Sequence, residues 1–177
     1  HADGFGSDPA FRAAAGGSVI DGREVYYDGN SQGAIMGGAA TAVAQDWTRA
    51  TLGVGGMNYS LLLDRSVDFD SYFAVMRQAY PDRFDQLLLF GVIQMLWDRI
   101  EADGYAQHLT TDPYPDTPAH QVLLHVAFGD HQVSTWSAEI QARTIGAKLL
   151  TPALAPGRHP DARPFWGLEP VEQFPTK

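Results

Sequence analysis

Residues 25–44 of this chain read VYYDGNSQGAIMGGAATAVA. The first three are a valine and two tyrosines, which are residue types favoured in β-strands. From position 34 onward the residues are small and apolar, and they are compatible with a helix. Between the two lies Gly29-Asn30-Ser31-Gln32-Gly33. A strand, a glycine-rich turn and a helix in this order predict an α/β protein with a mostly parallel sheet flanked by helices.

The turn around Ser31 matches the G-x-S-x-G pattern of a nucleophile elbow, in which a sharp, strained turn exposes a serine hydroxyl. Gly29 and Gly33 provide the small residues that we expect such a turn to need, because side chains there would collide across it. The backbone N–H of Gln32 would then face the oxyanion that develops on a substrate carbonyl. The alternative is a plain glycine-rich turn before a helix, since the chain contains 18 glycines. The flanking strand and helix favour the nucleophile.

Composition limits the possible functions. A chain of 177 residues with 45% hydrophobic and 19% charged residues predicts one globular domain, residues 1–177, with a sizeable core. The net charge of −9 disfavours nucleic acid and anionic membrane surfaces as partners. Cysteine is absent, which excludes a disulfide framework and thiolate chemistry. The sequence has no phosphate loop, dinucleotide fingerprint or zinc signature, so no cofactor and no metal are predicted. Composition does not distinguish between cellular compartments, and secretion is one candidate.

Local signals predict how the first half of the chain is organised. Asp8-Pro9 predicts the start of a helix that runs to Ala15, after a loop at the N-terminus. Strands are predicted at 23–27 and 49–54, with a helix over 32–45 between them. A strand, a helix and a second strand in this order indicate a parallel βαβ unit.

Residues 61–118 interrupt this alternation with two predicted helices, 70–80 and 84–101. Residues 87–97 read LLLFGVIQMLW, a run shorter than the roughly 18 residues that a membrane span needs. This segment is either an ordinary buried helix or a lid whose apolar face contacts a substrate, and the two interpretations are compatible. The candidates for lining an acyl pocket are Met57, Tyr59 and Trp97.

A strand is predicted again at 121–128, and it is apolar on both faces apart from its ends and His125. Such strands are typical of the middle of a parallel sheet. A helix over 134–145, ending at Gly146, and a last strand over 147–151 follow.

A serine that transfers an acyl group needs a base to take its proton and an acid to orient the base. Asp130 comes directly after the late strand, where the acid is expected, although it could instead cap the helix that follows. His159 lies in a loop beyond the last strand, where the base is expected. The alternative for His159 is an exposed loop histidine without a role.

Four other internal histidines have simpler interpretations. His108 is expected to be solvated, His120 to start a strand, and His125 to be a core histidine. His131 adjoins Asp130 and is expected to point away from it or to shape the rim of the pocket. A metal site built from the last three of these histidines and Asp130 is disfavoured, because their spacing matches no ligand signature.

Two motifs carry a resemblance to a known family: residues 26–34 around the serine and residues 128–133 around Asp130. They resemble the α/β-hydrolases of the esterase and lipase kind, and the Ser-Gln-Gly core is similar to that of cutinases, which usually have disulfides. The resemblance implies a small-molecule or lipid-like ester as substrate and a helical lid at residues 61–118. It also implies the roles of Ser31 as nucleophile, Asp130 as acid, His159 as base and Gln32 as oxyanion donor.

The chain departs from this family because the strand before the nucleophile is its first clear strand. The strands that usually precede it, and the loop that gives the second oxyanion N–H, have no counterpart here. Losing one donor costs on the order of 100- to 1000-fold in rate. The first strand would also have an unpaired edge, so we expect a complementary N-terminal chain or another copy to cover it. A carboxylic-ester hydrolase is the first hypothesis; a peptidase or amidase with the same triad and a catalytically silent subunit are the alternatives.

Overall fold

A computed structural model describes residues 2–159 and 165–174, and it shows a mixed α/β architecture. Short 3-10 turns separate some of the main elements. The helices and strands, in chain order, are α1 (Ala2–Ser7), β1 (Tyr27–Asn30), α2 (Gln32–Ala42), β2 (Arg49–Gly53), α3 (Tyr59–Leu63), α4 (Asp70–Ala79), α5 (Arg83–Trp97), α6 (Gln107–Thr110), β3 (Gln121–His125), α7 (Thr135–Thr144), β4 (Leu149–Leu150) and β5 (Pro170–Val171).

The main sheet has three parallel strands in the order β1-β2-β3. Arg49 pairs with Gln121, so β2 and β3 start together, and Tyr27 pairs with Ala50, so β1 starts one residue further along. Helix α2 forms the crossover from β1 to β2, and α3 to α6 lie between β2 and β3 along the chain. The predicted α/β class with a parallel sheet flanked by helices is therefore confirmed. Within the described residues β1 pairs with β2 alone, which leaves its other edge without a strand.

Two strand predictions need correction. The first strand begins at Tyr27 rather than residue 23 and ends at Asn30, so the first two of the five motif residues, Gly29 and Asn30, belong to the strand. Strand β3 lies at the edge of the sheet and not in its middle, and Leu123 on it is 43% exposed. The reason is that the segment expected to flank it forms only Leu149–Leu150, which pairs with β5 in a separate two-stranded sheet.

The N-terminal predictions were wrong in extent. Residues 2–7, predicted as a loop, form α1. The helix predicted from Pro9 to Ala15 is a single 3-10 turn that ends at Phe11. Its start is as predicted, because Asp8 caps it by accepting a 2.8 Å hydrogen bond from the Ala10 N–H.

The core lies where α2, α6 and α7 meet the sheet. One buried cluster comprises Ala42, Met57, Ala102, Ala106, Leu109 and Ile145. A second comprises Ile35, Leu62 and Val133. Helix α2 comes close to its neighbours because it is made of small residues: a Cβ on Gly38 would lie 2.5 Å from the Cβ of Ala102. This close packing fixes the N-terminus of α2, where Ser31 is held.

The two helices predicted between residues 70 and 101 are confirmed as α4 and α5. Gln86, Phe90 and Gln94 form the buried side of α5, while most of its large apolar residues are on the opposite side and exposed. The leucines of this helix therefore do not line an internal acyl pocket. Within the described part of the chain, no helix has the length and apolar character needed to cross a membrane.

Candidate active site

Ser31 occupies the turn between β1 and α2 in a strained backbone conformation, with φ 56° and ψ −121°. Residues with a side chain rarely adopt a positive φ, and such outliers persist only when the surroundings enforce them. Here the Ser31 N–H donates to the Gly53 carbonyl at 2.8 Å, and the Ser31 carbonyl accepts from the N–H groups of Ala34 and Ile35 at 2.8 and 3.0 Å. The Ser31 side chain is exposed. The turn thus has the sharp, strained form that the motif predicts.

The two glycines of the motif are not equivalent. A Cβ on Gly29 would overlap the carbonyl oxygen of Gly33 and would lie 2.7 Å from Cε1 of Tyr27. The Tyr27 hydroxyl also donates a 2.6 Å hydrogen bond to that carbonyl oxygen, which ties β1 to the first turn of α2. A Cβ on Gly33, in contrast, would meet nothing within 4 Å. The expected collision therefore exists at Gly29, and the expectation for Gly33 was wrong.

Gln32 begins α2, so its N–H is one of the first four amides, which have no acceptor within the helix. An amide in this position is available to a developing oxyanion. The Gln32 side chain donates to the Tyr59 hydroxyl at 3.0 Å. The Tyr59 ring in turn contacts Trp97 edge-on, with ring centroids 5.6 Å apart. Two of the predicted substrate-binding residues, Tyr59 and Trp97, therefore form a wall beside the elbow.

Met57 does not belong to this wall. Its side chain is 2% exposed and lies in the core cluster with Ala42 and Leu109. A residue this deeply buried cannot touch a ligand that enters from the surface. We therefore assign Met57 to the core, which corrects its predicted role in substrate binding.

Asp130 lies beyond the carboxyl end of β3, in a turn that Gly129 enters with φ +79°. Its Oδ1 accepts hydrogen bonds from the N–H groups of Gln132 and Val133, at 2.7 and 3.0 Å. Helix α7 is capped by Ser134, so the alternative that Asp130 is its N-cap is wrong. Oδ2 of Asp130 accepts no hydrogen bond from any described residue. The carboxylate is held in place through one oxygen, and the other is left for a donor.

The serine and the acid lie at the same end of the sheet. Ser31 and Asp130 both follow the carboxyl ends of parallel strands, β1 and β3, and β2 lies between these strands. Neighbouring strands lie about 4.8 Å apart, so β1 and β3 are roughly 10 Å apart. Asp130 comes five residues after the end of β3, so the turn that follows the strand also sets its position.

His159 is placed beside the turn that holds the acid. Its ring contacts Phe128, with centroids 5.5 Å apart, and Phe128 is two residues before Asp130. The His159 ring makes no hydrogen bond to Ser31 or Asp130 among the described residues. Catalytic hydrogen bonds are often long in structures without a substrate and tighten when one binds. The structure thus brings the predicted base to the acid turn without forming the triad.

The other histidines differ from their predicted interpretations at two positions. His125, expected in the core, is exposed at the end of β3. His108, expected to be solvated, packs its ring on Tyr114 and has Nδ1 2.6 Å from the Asp112 carbonyl oxygen. His131 is exposed, and His120 is buried, with no hydrogen-bond partner for either ring nitrogen in the part of the chain that the structure describes. The disfavoured metal set of His120, His125, His131 and Asp130 is not brought together.

Sequence reasoning missed a group of three carboxylates, Asp98, Glu101 and Asp103, whose oxygens lie within 4.8 Å of one another. The Glu101 side chain is fully buried. Its oxygens accept hydrogen bonds from the N–H of Tyr59 at 3.1 Å, from Nε2 of Gln94 at 2.6 Å and from the N–H of Asp103 at 3.2 Å. The only sequence signal was the spacing D-x-x-E-x-D at the end of a predicted helix.

This group anchors the wall beside the elbow. Gln94 accepts a 3.0 Å hydrogen bond from the N–H of Ser60 and donates to Asp98 and Glu101. Since Glu101 binds the N–H of Tyr59, residues near the end of α5 satisfy the first two amides of α3. The Gln94 amide nitrogen bonds both carboxylates and so occupies the position between them. The group therefore holds α3 in place and carries no metal assignment.

Burial and mutual repulsion govern the protonation of these groups. Burial raises the pKa of Glu101, and the hydrogen bonds from Gln94 and from the N–H of Tyr59 oppose that rise. Burial also raises the pKa of Asp103, and the nearby charge of Asp98 raises it further. The pKa of the Tyr59 hydroxyl is raised by burial as well. Burial therefore opposes the charged forms of Glu101 and Asp103.

Ser31, Tyr59 and Asp130 thus follow the carboxyl ends of β1, β2 and β3, and His159 contacts Phe128 beside the turn that holds Asp130. Met57 lies in the core instead. No family model matches this sequence, and neither a curated protein nor a solved structure matches it.

Proposed function

We propose that this chain is a serine hydrolase that cleaves carboxylic esters through an acyl-enzyme. The observation that carries the proposal is the exposed Ser31, whose φ of 56° places it on a strained turn between a parallel strand and a helix N-terminus. Such strain persists only where the surroundings enforce it, and it is common at active sites. A plain turn before a helix needs no strained serine, because a glycine or asparagine would adopt the same backbone at lower cost.

In the proposed mechanism, His159 takes the proton of the Ser31 hydroxyl as the oxygen attacks the ester carbonyl. The Oδ2 of Asp130, which is left open by the described residues, orients the imidazole and stabilises its charge. The N–H of Gln32 donates to the oxyanion. The histidine then protonates the leaving alcohol, and water hydrolyses the acyl-enzyme. The small-molecule or lipid-like ester would lie against Tyr59 and Trp97, so that part of the helical segment at residues 61–118 acts as a lid.

A partner along the outer edge of β1 is part of the proposal. That edge has no strand against it within the described residues, and an open edge can pair with another chain. A complementary chain or a second copy docked there would lie next to Ser31 and could supply the second oxyanion donor. Without that donor, the rate would be lower by on the order of 100- to 1000-fold.

A fluorophosphonate probe tests the nucleophile directly. We expect an adduct on Ser31, mapped by peptide mass spectrometry, and its loss in Ser31→Ala. The matched control is Ser71→Ala, since Ser71 is also exposed but lies in α4. His159→Ala should abolish labelling and His131→Ala should preserve it. Labelling that survives His159→Ala would assign the base to another residue. No labelling in the folded chain would favour a catalytically silent subunit.

Paired substrates separate the ester and amide alternatives, which use the same triad. We expect hydrolysis of a p-nitrophenyl ester and little hydrolysis of the matching p-nitroanilide. Equal kcat/KM for both, each lost in Ser31→Ala, would instead support a peptidase or amidase.

A further inference from the structure

Helix α5 presents a continuous apolar face to solvent. Six large apolar side chains on it are each between 55% and 70% exposed: Phe84, Leu87, Leu88, Val92, Met95 and Leu96. At 100° per residue, five of these positions fall on one side of the helix, and the buried Gln86, Phe90 and Gln94 fall on the other, with Leu87 beside Gln94. We call the five, Phe84, Leu88, Val92, Met95 and Leu96, the α5 face. It differs from scattered surface leucines, which need no explanation, because its members are contiguous.

The size of the α5 face matches that of a protein interface. A large apolar side chain carries on the order of 200 Å² of surface, so the five side chains of the α5 face, at these exposures, present roughly 640 Å². The largest apolar patch on a typical monomer is about 300–600 Å². A standard interface buries about 800 Å² on each partner. The α5 face thus offers most of the apolar area that one partner of such an interface buries.

The charges on this face indicate which partner it fits. Two charged residues lie within the same arc of the helix: Asp85 in the first turn and Arg99 in the turn that continues the helix. Both are exposed, and neither forms an ion pair with a described residue. In an antiparallel pair of α5 helices related by a two-fold axis at Val92, Asp85 of one copy lies opposite Arg99 of the other. The ion pair forms twice, once on each side of the axis.

The same axis also matches the apolar residues. Val92 meets its own copy, Leu88 meets Leu96 of the other chain, and Phe84 meets Ile100, which is itself 56% exposed. A two-fold interface must be self-complementary in this way, with residue i facing j and j facing i.

We propose that two copies of this chain associate through antiparallel packing of their α5 faces, with the two-fold axis at Val92. This interface is separate from the edge of β1 and does not depend on the proposed hydrolase activity. An anionic lipid surface is a poorer fit to the same face, because the chain carries a net charge of −9.

Sedimentation velocity of the full chain between about 1 and 100 μM tests the pair. We expect a species of twice the chain mass, and we expect Val92→Asp to raise the dimer Kd at least 100-fold by placing two carboxylates at the axis. Val19→Asp is the matched control, because Val19 is also mostly exposed, at 63%, and lies far from α5 in sequence. Since both valines are exposed, circular dichroism should show folded protein in each case.

A charge exchange tests the antiparallel register. Asp85→Arg alone and Arg99→Asp alone should each weaken the dimer about tenfold or more, because each places like charges opposite one another. The double variant D85R/R99D should restore the affinity to within a few-fold of the original.

Three results would overturn the proposal. The first is a chain that stays monomeric at 100 μM, whether or not it co-sediments with lipid vesicles. The second is a dimer unaffected by Val92→Asp. The third is a double charge variant no tighter than the single variants.

Discussion

The hydrogen bonds from α5 to α3 make Gln94→Leu a demanding test of how the wall beside Ser31 is held. Leucine has nearly the same volume as glutamine but no polar atoms. The change therefore removes the acceptor of the Ser60 N–H, which lies at 3.0 Å, and the amide donor to Glu101 and Asp98, which lies at 2.6 Å from each. Glu101 remains buried with one stabilising contact fewer.

The cost follows mainly from the losses at Ser60 and at the buried Glu101, because Asp98 is only partly buried and water can replace its donor. An amide left without an acceptor in a partly buried site costs about 1–3 kcal/mol, and a hydrogen bond to a charged group contributes about 1.5–3 kcal/mol. Leucine recovers part of this through its apolar surface. We therefore expect Gln94→Leu to lower the free energy of unfolding by about 3–5 kcal/mol.

Urea unfolding followed by circular dichroism measures this loss. Gln78→Leu is the control, since Gln78 is exposed on α4 and such surface changes stay within about 0.5 kcal/mol. A loss of less than about 1 kcal/mol for Gln94→Leu, with an unchanged m-value, would show that the α5 side chains do not hold the start of α3.

Three further outcomes are expected. The folded state keeps the Glu101 proton to a higher pH than the unfolded chain does. The free energy of unfolding should therefore fall as the pH rises from about 4.5, the ordinary pKa, through the raised pKa. Urea titrations at pH 5 and 7 should show a smaller fall for Glu101→Gln than for the original chain, and an equal fall would contradict this. Gly29→Ala should destabilise the protein by about 1–3 kcal/mol or more, because its Cβ would overlap the Gly33 carbonyl. Gly33→Ala, in an open helical position, should be neutral or stabilising by up to about 1 kcal/mol. Equal thermal stabilities of the two variants would contradict the overlap at Gly29. Met57→Ala should lower the free energy of unfolding by about 2–5 kcal/mol, because it leaves a cavity in the core. A changed KM with an unchanged free energy of unfolding would instead support the predicted role of Met57 in substrate binding.

Local chemistry was enough to predict the elements around the serine. A β-prone run, glycines and then small helix-compatible residues specify a strand, a tight turn and a closely packed helix, and the structure has β1, Ser31 and α2 in that order. Gly146 ends α7 with φ +68°, as its position after the last helical residue predicts. These predictions held because each rests on interactions within a few residues.

Predictions that needed long-range information were less accurate. The apolar residues of β3 are equally compatible with a central and an edge strand, and only the placement of residues 149–150 beside β5 separates the two. The Asp98–Glu101–Asp103 group is local in sequence, but its role in holding α3 was missed because the hydrogen bond from the Tyr59 N–H to Glu101 joins residues far apart in the chain. Met57 was misplaced for a related reason, since an apolar residue beside an active-site loop has the same sequence pattern whether it faces a ligand or the core.

Helix α5 shows most clearly what an apolar pattern leaves undetermined. Its sequence predicts burial all round, because apolar residues occur on every side. Within one chain that prediction is met on one side only, by Phe90 and its neighbours, and the side centred on Leu88 and Met95 stays in water. The α5 helix of a second copy would bury the exposed side, as the apolar sequence predicts, and would pair Asp85 with Arg99. The two faces would then have separate tasks, one holding the aromatic wall at Ser31 and the other joining two chains.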